Sequence, residues 1–271
     1  MQYLELAPPP PLRRVVHCFW FLRGDFRDPD PEPIVPDGRV DIILHLAEAF
    51  SRLDEQGHAR REAGALISGQ LTSPIRLVGN GIGDVVGIRF RTAAAGVLGL
   101  PLTEMTDRVV ALRDVAPGLA RKLAAAAASV SAPADRVQAL TRVLLRAVGE
   151  RPLPDPVAAA AVRGFELATP TRIGALADRL GVSARTLDRR VAGATGLQPA
   201  MLRRLVRFRR AFRLLNAAPT GSGAAVAARA GYFDQAHLIR DFRRFAGTAP
   251  TDFFRTEPEF ARAMLGTGTG D

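Results

Sequence analysis

Two segments in the second half of the chain repeat one local design, and this design restricts the possible folds more than any other feature. Each segment has a short helical pattern centred on a small residue, then a glycine, then a capping Ser or Asp, then a basic helical pattern. The segments are RIGALADRLGVSARTLDRRVAGATG and GSGAAVAARAGYFDQAHLIRDFRRFAG. Helical periodicity from about Pro199 to Asn216 joins them. The sequence therefore predicts two helix-turn-helix units connected by a long helix.

The residue types at equivalent positions meet the geometric demands of such a unit. A small residue lets the two helices cross closely, a glycine accepts the positive φ that ends the first helix, and an oxygen side chain caps the second. The equivalent pairs are Ala177 and Ala227, Gly181 and Gly231, and Ser183 and Asp234.

The second unit also carries the pattern A-x-x-x-G-[FY]-x-[DS]-x-x-x-[FL]-x-R-x-F-[KR]-x-x-x-G-x-x-P. Its residues here are Ala227, Gly231, Tyr232, Asp234, Leu238, Arg240, Phe242, Arg243, Gly247 and Pro250. Residues 157–256 thus resemble the DNA-binding domain of the AraC/XylS family of transcription regulators. The resemblance implies two helix-turn-helix units joined by a long helix, which agrees with the analysis of the residues. It also implies double-stranded DNA as a partner, and RNA polymerase as a second one if the protein is an activator.

The charge distribution points to the same part of the chain. Residues 157–256 contain 17 arginines and six carboxylates, a balance of +11, whereas the whole chain has a net charge of +10. The remainder is therefore close to neutral. A basic excess confined to one region suits a polyanion, because each phosphate contact releases condensed counterions. An arginine-rich face that is merely solvated is the alternative interpretation of the charge alone.

Exposed residues on the first two turns of each second helix are the candidates for reading bases. Arginine suits guanine, Asp188 suits the cytosine amino group, Gln235 suits adenine and Ala236 suits the thymine methyl group. Two alternatives stay open: Arg240 contacts a phosphate or an acid, and Asp188 pairs with a neighbouring arginine. The candidate base-reading residues are Arg185, Asp188, Arg189, Gln235, Ala236, His237 and Arg240.

Helix N-termini and flanking arginines are expected to contact phosphates. The candidates are Arg172, Ser183, Thr186, Arg190 and Arg203. Six arginines run around the whole connecting helix, so we expect two or three of them to face DNA and the others to be solvated or paired with acids.

The first half of the chain predicts a different kind of structure. Val15–Leu22, Arg39–Leu46 and Asp84–Arg91 are short runs of β-branched and aromatic residues bounded by turn formers. They predict a small β-barrel or jelly-roll-like sandwich. Two helices follow within about 118–148. The predicted fold class is α+β, with residues 1–150 as one domain, 151–156 as a proline-punctuated linker, 157–256 as an all-α domain and 257–271 as a tail.

The first half resembles an uncharacterised sensor-like domain that precedes this DNA-binding module in many regulators. The resemblance rests on Val35-Pro36-Asp37-Gly38 with Asp41, on Gly87–Phe90, and on Pro101–Arg108. It implies no known ligand. The candidates for lining an effector pocket are Trp20, Asp41, His45, Arg89 and Arg91. A structural ion pair between Asp41 and Arg89 or Arg91 is the favoured alternative.

Several other functions find no support in the sequence. The histidines His17, His45 and His58 lack the spacing of a metal-binding cupin, so no metal and no cofactor are expected. The single cysteine, Cys18, cannot form an intramolecular disulfide or a cysteine-based zinc site. No nucleophile elbow or phosphate-binding loop is present, and no apolar run is long enough for a membrane span. We expect a cytoplasmic protein that is not an enzyme and has no membrane partner.

The sequence as a whole predicts a sequence-specific DNA-binding transcription regulator. Its N-terminal domain would bind a small-molecule effector or form a homodimer, with the helices in 118–148 as the dimer contact. The alternatives are an enzyme built on the N-terminal barrel with secondary DNA binding, and an architectural DNA binder that needs no ligand.

Overall fold

The structure is a computed structural model that describes residues 1–27, 30–149, 154–167, 172–218, 222–256 and 259–266. Its first part consists of ten strands in two antiparallel sheets. One sheet has the order β1-β2-β9-β4-β7-β10 and the other has the order β3-β8-β5-β6. The strands are β1 Gln2–Leu6, β2 Val16–Asp25, β3 Glu32–Ile34, β4 Asp41–His45, β5 Ser51–Leu53, β6 Ala59–Arg61, β7 Ala65–Ser68, β8 Ile75–Val78, β9 Ile82–Phe90 and β10 Val109–Ala111.

The strands confirm the predicted α+β class, although in the described residues the two sheets do not join into one closed barrel. Strand β4 shows how the sequence pattern places its side chains. Ile42 and Leu44 on one face are fully buried in the core of the domain, while Asp41, Ile43 and His45 on the other face point between the two sheets. Because successive side chains of a strand alternate between faces, this short segment lines both the core and the space between the sheets.

Three helices follow the strands and close the core of this part. They are α1 Leu112–Val115, α2 Pro117–Ala128 and α3 Pro133–Val148. Val137, Leu140 and Leu144 form an apolar stripe on α3, and they pack into the same core as Ile42 and Phe90. The helices expected to form the dimer contact therefore bury this stripe inside the chain, and dimerisation through them stays a prediction.

The second part is helical, as predicted. Its helices are α4 Pro156–Glu166, α5 Ile173–Arg179, α6 Ala184–Thr195, α7 Pro199–Ala217, α8 Gly223–Ala230, α9 Gln235–Ala246 and α10 Pro250–Arg255. Thr171, at which the helical sequence pattern before Gly181 begins, and residues 150–153 of the expected linker region lie outside the described residues. Phe208 and Phe212 of α7 are fully buried against α9 and α10, where they contact Phe242 and Phe253. The connecting helix is thus the core of the second part.

Capping side chains and glycines set the ends of these helices. Asp155 accepts hydrogen bonds from the backbone N–H groups of Val157 and Ala158 at the start of α4. Gly181 and Gly231 have φ angles of 65° and 85°, the left-handed conformation that ends the first helix of each unit.

One helix was not predicted, because residues 257–271 were assigned to a tail. Glu259–Gly266 forms α11, which packs against α7 and β3. Ala261 and Leu265 are 2% and 4% exposed, so the helix is held by buried apolar side chains. The spacing of its apolar residues has helical period, but the segment is short enough to be mistaken for an unstructured end. No helix of the described residues combines the length and apolarity that a bilayer crossing requires.

Candidate nucleic-acid interface and inter-sheet cavity

Helix α6, the second helix of the first unit, presents charged side chains from a fixed start. The Ser183 hydroxyl accepts a hydrogen bond from the backbone N–H of Thr186 at 3.2 Å. Leu187 is completely buried, so the helix cannot rotate about its axis without exposing it. Arg185 and Arg189 are exposed one turn apart and Asp188 is half-buried between them. These side chains form a charged face on the first two turns of α6.

Helix α9 of the second unit is built in the same way. The Asp234 carboxylate accepts a hydrogen bond from the backbone N–H of His237 at 2.6 Å. Gln235, Ala236 and Arg240 are exposed, while Leu238 is buried. The exposed face is therefore less charged than that of α6.

His237, a predicted base reader, is partly turned toward the scaffold. Its Nε2 lies 3.1 Å from Nη2 of Arg207, and its ring meets the ring of Tyr232 edge-on at 5.1 Å. Partial burial and the charge of Arg207 lower the pKa of the imidazole. The neutral form of His237 is therefore favoured where it lies against α7.

A buried carboxylate that the sequence analysis did not single out holds α9 to α7. Asp241 is almost fully buried, and it accepts hydrogen bonds from Arg204 at 2.6 Å and from Arg207 at 2.9 Å. The guanidinium carbon of Arg207 also lies 4.4 Å from the centre of the Tyr232 ring. Burial disfavours the ionised Asp241 carboxyl, but the two arginines outweigh it and lower its pKa. We call Arg204, Arg207, Tyr232, His237 and Asp241 the α7–α9 polar cluster.

The arginines of α7 mainly hold helices together. Besides the two that bind Asp241, Arg209 pairs with Glu166 at 2.6 Å, and Arg210 donates to the Glu166 and Leu167 carbonyls at the end of α4. This agrees with the expectation that most of the six are solvated or paired. Arg203, predicted to contact phosphate, is half-buried.

The other phosphate candidates differ in their exposure and in the contacts that they already make within the protein. Arg172 is exposed at the start of α5, and Ser183 and Thr186 are at the start of α6. Arg190 is partly exposed but pairs with Asp155 at 2.9 Å, the same carboxylate that caps α4. A phosphate at Arg190 would compete with this carboxylate.

A cavity of about 370 Å³ lies between the two sheets. Its size is in the range of small-molecule sites. The larger sheet contributes Trp20, Ile43 and Val85 to its walls, and the smaller sheet contributes Ile34, Ile75 and Leu77. Trp20, Asp41 and His45, three of the five predicted pocket residues, line it. Gly87 leaves room for the indole ring of Trp20 on the opposite strand, because a Cβ at this position would overlap the ring.

The other two predicted pocket residues lie apart from this lining. Arg89 is directly opposite Asp41 in the sheet and forms an ion pair with it at 3.1 Å, which is the structural pairing favoured from the sequence. Asp37 is 3.5 Å from the same guanidinium. Burial opposes the charge of Arg89, but the two carboxylates raise its pKa. Arg91 instead donates to the carbonyl of Arg13 at 2.6 Å and is absent from the described lining.

Helix α11 supplies two cavity residues that the sequence analysis missed. Phe260 and Met264 lie in the cavity wall, and Phe260 meets Trp20 edge-on at 6.4 Å. Arg89 donates to the Met264 carbonyl at 3.4 Å, and Arg262 donates to Asn216 of α7 at 2.8 Å. The same short helix therefore touches both the cavity and the connecting helix.

The two parts of the chain also meet at the first helix-turn-helix unit. The Thr106 hydroxyl donates to the carbonyl of Gly196, at the end of α6, at 2.8 Å. Arg209 of α7 donates to the carbonyl of Asp37 at 3.2 Å. Within the described ranges, no three His, Cys, Asp or Glu residues come together as a metal site would require.

Comparison with known families finds two matches. Residues 176–256 match a family described as "Helix-turn-helix domain", and residues 4–111 match a "Domain of unknown function (DUF6597)". No curated protein sequence matches the chain.

Several solved structures are similar to the chain. ToxT from Vibrio cholerae is 10% identical, with a TM-score of 0.48, over 92% of this chain and 99% of that one. Wild-type ToxT of strain SCE256 with a bound unsaturated fatty acid gives 10% identity and a TM-score of 0.48, over 93% and 97% of the two chains. The DNA-binding domain of the global transcriptional factor AdpA, in complex with a target DNA, is 31% identical over 42% of this chain and 99% of that one, with a TM-score of 0.35.

The second-unit pattern, the two helix-turn-helix units on one connecting helix, and the family match over 176–256 agree with one another. Residues 176–256 therefore form a helix-turn-helix domain of the AraC/XylS type, and the chain is a DNA-binding transcription regulator.

Proposed function

We propose that the protein reads two adjacent blocks of base pairs with α6 and α9, and that a small molecule in the inter-sheet cavity controls this reading. The observation that carries the proposal is the position of α11, which forms part of the cavity wall and also contacts the connecting helix between the two units. The cavity and the DNA-binding helices are thus joined by one element.

The exposed faces of the two helices support a division of labour between them. Arg185 and Arg189 suit the two acceptors of guanine, and Asp188 suits the cytosine amino group. On α9, Gln235 suits adenine and Ala236 suits the thymine methyl group, with His237 and Arg240 beside them. Because α7 has 19 residues, it is about 28 Å long, close to one turn of DNA.

Phosphate contacts would set the register of both units. We assign them to Arg172, Ser183, Thr186, Arg190 and Arg203. The helix start formed by Ser183 and Thr186 supports this, since a helix N-terminus favours a phosphate.

The remaining assignments follow from this role. We place the domain boundary at residues 151–156, with DNA binding in 157–256, and we expect the protein to act in the cytoplasm without catalysing a reaction. A homodimer, and RNA polymerase as the partner of an activator, belong to the same proposal. The match to regulators of transcription supports the cytoplasmic location and the absence of catalysis. The dimer contact has less support, because the exposed Leu145 gives α3 only a small apolar surface.

Selection of bound duplexes from a random pool tests the reading of two blocks. The pool bound by the wild-type chain should contain two blocks about one helical turn apart, roughly 10 base pairs. Arg189→Ala should relax one block and Gln235→Ala the other, each losing about 1–3 kcal/mol of discrimination. Arg142→Ala and Gln138→Ala, both exposed on α3, are the matched controls and should leave the motif unchanged. A pool without a motif would reject sequence-specific reading and favour an architectural binder.

Tryptophan fluorescence tests the link between DNA and cavity without requiring the effector. Trp20 is the only tryptophan of the chain and lies in the cavity beside Phe260. Since coupling between two sites is reciprocal, saturation with the selected DNA should change its emission. Arg262→Ala, which removes the contact with Asn216, should reduce that change at equal DNA occupancy. Arg255→Ala, an exposed arginine of α10, is the control. An unchanged Trp20 emission in the wild-type chain would contradict the link.

A further inference from the structure

We infer that the cavity binds an organic cation, an ammonium group carried on an apolar body. This inference names the ligand class of the effector site and therefore rests on the proposed function. It is carried by the aromatic walls, by the sign of the charged side chains around them, and by one buried histidine.

The walls can hold an apolar body and also favour a positive charge. Four aromatic side chains line the cavity: Trp20, Phe26, Phe50 and Phe260. Phe26 and Phe50 meet edge-on with their centres 5.1 Å apart, and Phe50 lies 5.8 Å from the ring of His45. The faces of aromatic rings carry negative charge density, so a cluster of them attracts a cation, and most strongly where a tryptophan is present.

The charged side chains of the lining have one sign, although Met1, which carries the N-terminal amino group, also lines the cavity. Asp25, Asp30, Glu32, Asp41 and Glu62 line the cavity, and in the described part of the chain no arginine or lysine does. Arg89, next to the lining, forms an ion pair with Asp41. Arg27 pairs with Asp25 at the exposed edge of the cavity. An anionic ligand would therefore find no arginine or lysine side chain in the described lining to pair with, which makes its desolvation unfavourable.

His45 and Glu62 place an acceptor in this setting. The side chains of His45 and Glu62 are 2% and 8% exposed, and Nε2 of His45 lies 3.3 Å from a Glu62 carboxylate oxygen. Nδ1 of His45 is buried and has no hydrogen-bond partner among the described residues. The neutral tautomer that donates its Nε2–H to Glu62 leaves Nδ1 as a lone-pair acceptor. A ligand that donates a hydrogen bond would satisfy it.

An organic ammonium ion offers a hydrogen-bond donor, a positive charge and an apolar body together. Its N–H donates to Nδ1 of His45, its charge is balanced by Glu62, and its apolar body lies against Trp20 and Phe50. A neutral alcohol of the same shape offers only the hydrogen-bond donor and the apolar body. A carboxylate offers only the apolar body, and it places a second negative charge near Glu62.

Three probes with one apolar body test the inference: 1-adamantylmethylammonium, 1-adamantanemethanol and 1-adamantanecarboxylate. Each is titrated into the full chain, and binding is followed by the emission of Trp20. The ammonium should bind roughly tenfold more tightly than the alcohol, and the carboxylate should bind more weakly than either.

Glu62→Gln should bring the ammonium and alcohol affinities to within about threefold of each other, because it removes the balancing charge. Retained binding of the alcohol shows that the variant cavity is intact. Glu55→Gln, an exposed carboxyl in the β5–β6 hairpin, is the matched control and should keep the preference.

Equal affinities of ammonium and alcohol, or tighter binding of the carboxylate, would overturn the ligand class and leave the effector role of the cavity standing. Failure of all three probes to change Trp20 emission would also overturn it. The proposed function fails separately, if saturation with the selected DNA also leaves Trp20 emission unchanged.

Discussion

The two helix-turn-helix units share a plan but are attached to the molecule differently. The end of α6 is in contact with the β-rich part, through the Thr106–Gly196 hydrogen bond and the close approach of Gly96 to Ala194. Helix α9 is instead attached to α7 by the buried α7–α9 polar cluster. The first unit is thus hydrogen-bonded to the N-terminal part, whereas the polar cluster holds the second unit to α7, and only the end of α9, at Gly247, approaches the N-terminal part, at Pro74. A change in the cavity is therefore expected to alter the reading by α6 before that by α9.

Removing the carboxylate at the centre of the α7–α9 polar cluster should have the largest effect. Asp241→Ala leaves two arginines without their buried partner, and we expect a loss of about 2–4 kcal/mol in the free energy of unfolding. Chemical denaturation measures this. Asp252→Ala breaks an exposed pair with Arg255 and should change stability by less than about 0.5 kcal/mol. Similar stabilities of the two variants would show that the polar cluster does not hold the second unit.

The contact of the first unit with the N-terminal part can be broken at a glycine. Gly196 and Gly247 end α6 and α9 with φ angles of 84° and 81°, so alanine brings comparable backbone strain to both. A Cβ at Gly196 would also lie 2.7 Å from the Leu102 carbonyl oxygen, whereas at Gly247 the nearest atom is 3.5 Å away. We expect Gly196→Ala to cost about 2–3 kcal/mol and Gly247→Ala about 1–2 kcal/mol. Thermal unfolding checks this difference, and equal losses would mean that α6 is not tightly placed against the N-terminal part.

Acid should loosen the second unit before the first. The pKa of Asp241 is lowered by Arg204 and Arg207, so its stabilising effect is complete above the usual Asp pKa of about 4 and is lost as the pH falls through the lowered value. Hydrogen exchange, corrected for the intrinsic rate at each pH, should show α9 losing protection below about pH 4 while α6 retains it. Asp241→Ala should lose this pH dependence. An equal loss of protection in the two helices would contradict the comparison.

The smallest effect expected is at a single phosphate contact of the first unit. Arg172→Ala should reduce the slope of log K against log salt by about 0.9, with little change in base preference. Arg113→Ala, an exposed arginine of α1, should leave the slope unchanged. Equal slopes for the two variants would remove Arg172 from the interface.

Local features of the sequence predicted much of this structure, because their physical causes are local. The caps Ser183 and Asp234 and the turn glycines Gly181 and Gly231 are observed as expected, since each acts within a few residues of the helix end it sets. Side-chain alternation along β4 likewise explains why Asp41 and His45 lie together on the side of the sheet that faces the cavity.

The contacts that were missed join distant parts of the chain. Asp241 binds an arginine 37 residues away, and nothing near it in sequence distinguishes it from a solvated acid. Phe260 reaches Trp20 from the far end of the chain, and Glu62 reaches His45 from the loop between β6 and β7. Periodicity can indicate that such residues are buried, but it does not identify the partner. The base-reading and phosphate residues stay predictions that the proposed selection tests.

Helix α11 also limits how far the chain can be treated as exchangeable modules. A wall of the N-terminal cavity is made of Phe260 and Met264, which follow both helix-turn-helix units in the sequence. A chimera that joins residues 1–150 to another DNA-binding domain would lose this wall. During synthesis, the cavity likewise stays incomplete until the DNA-binding helices have been made. Any engineered exchange of the N-terminal part should therefore keep the segment 259–266 with it, although this segment follows the DNA-binding helices in the sequence.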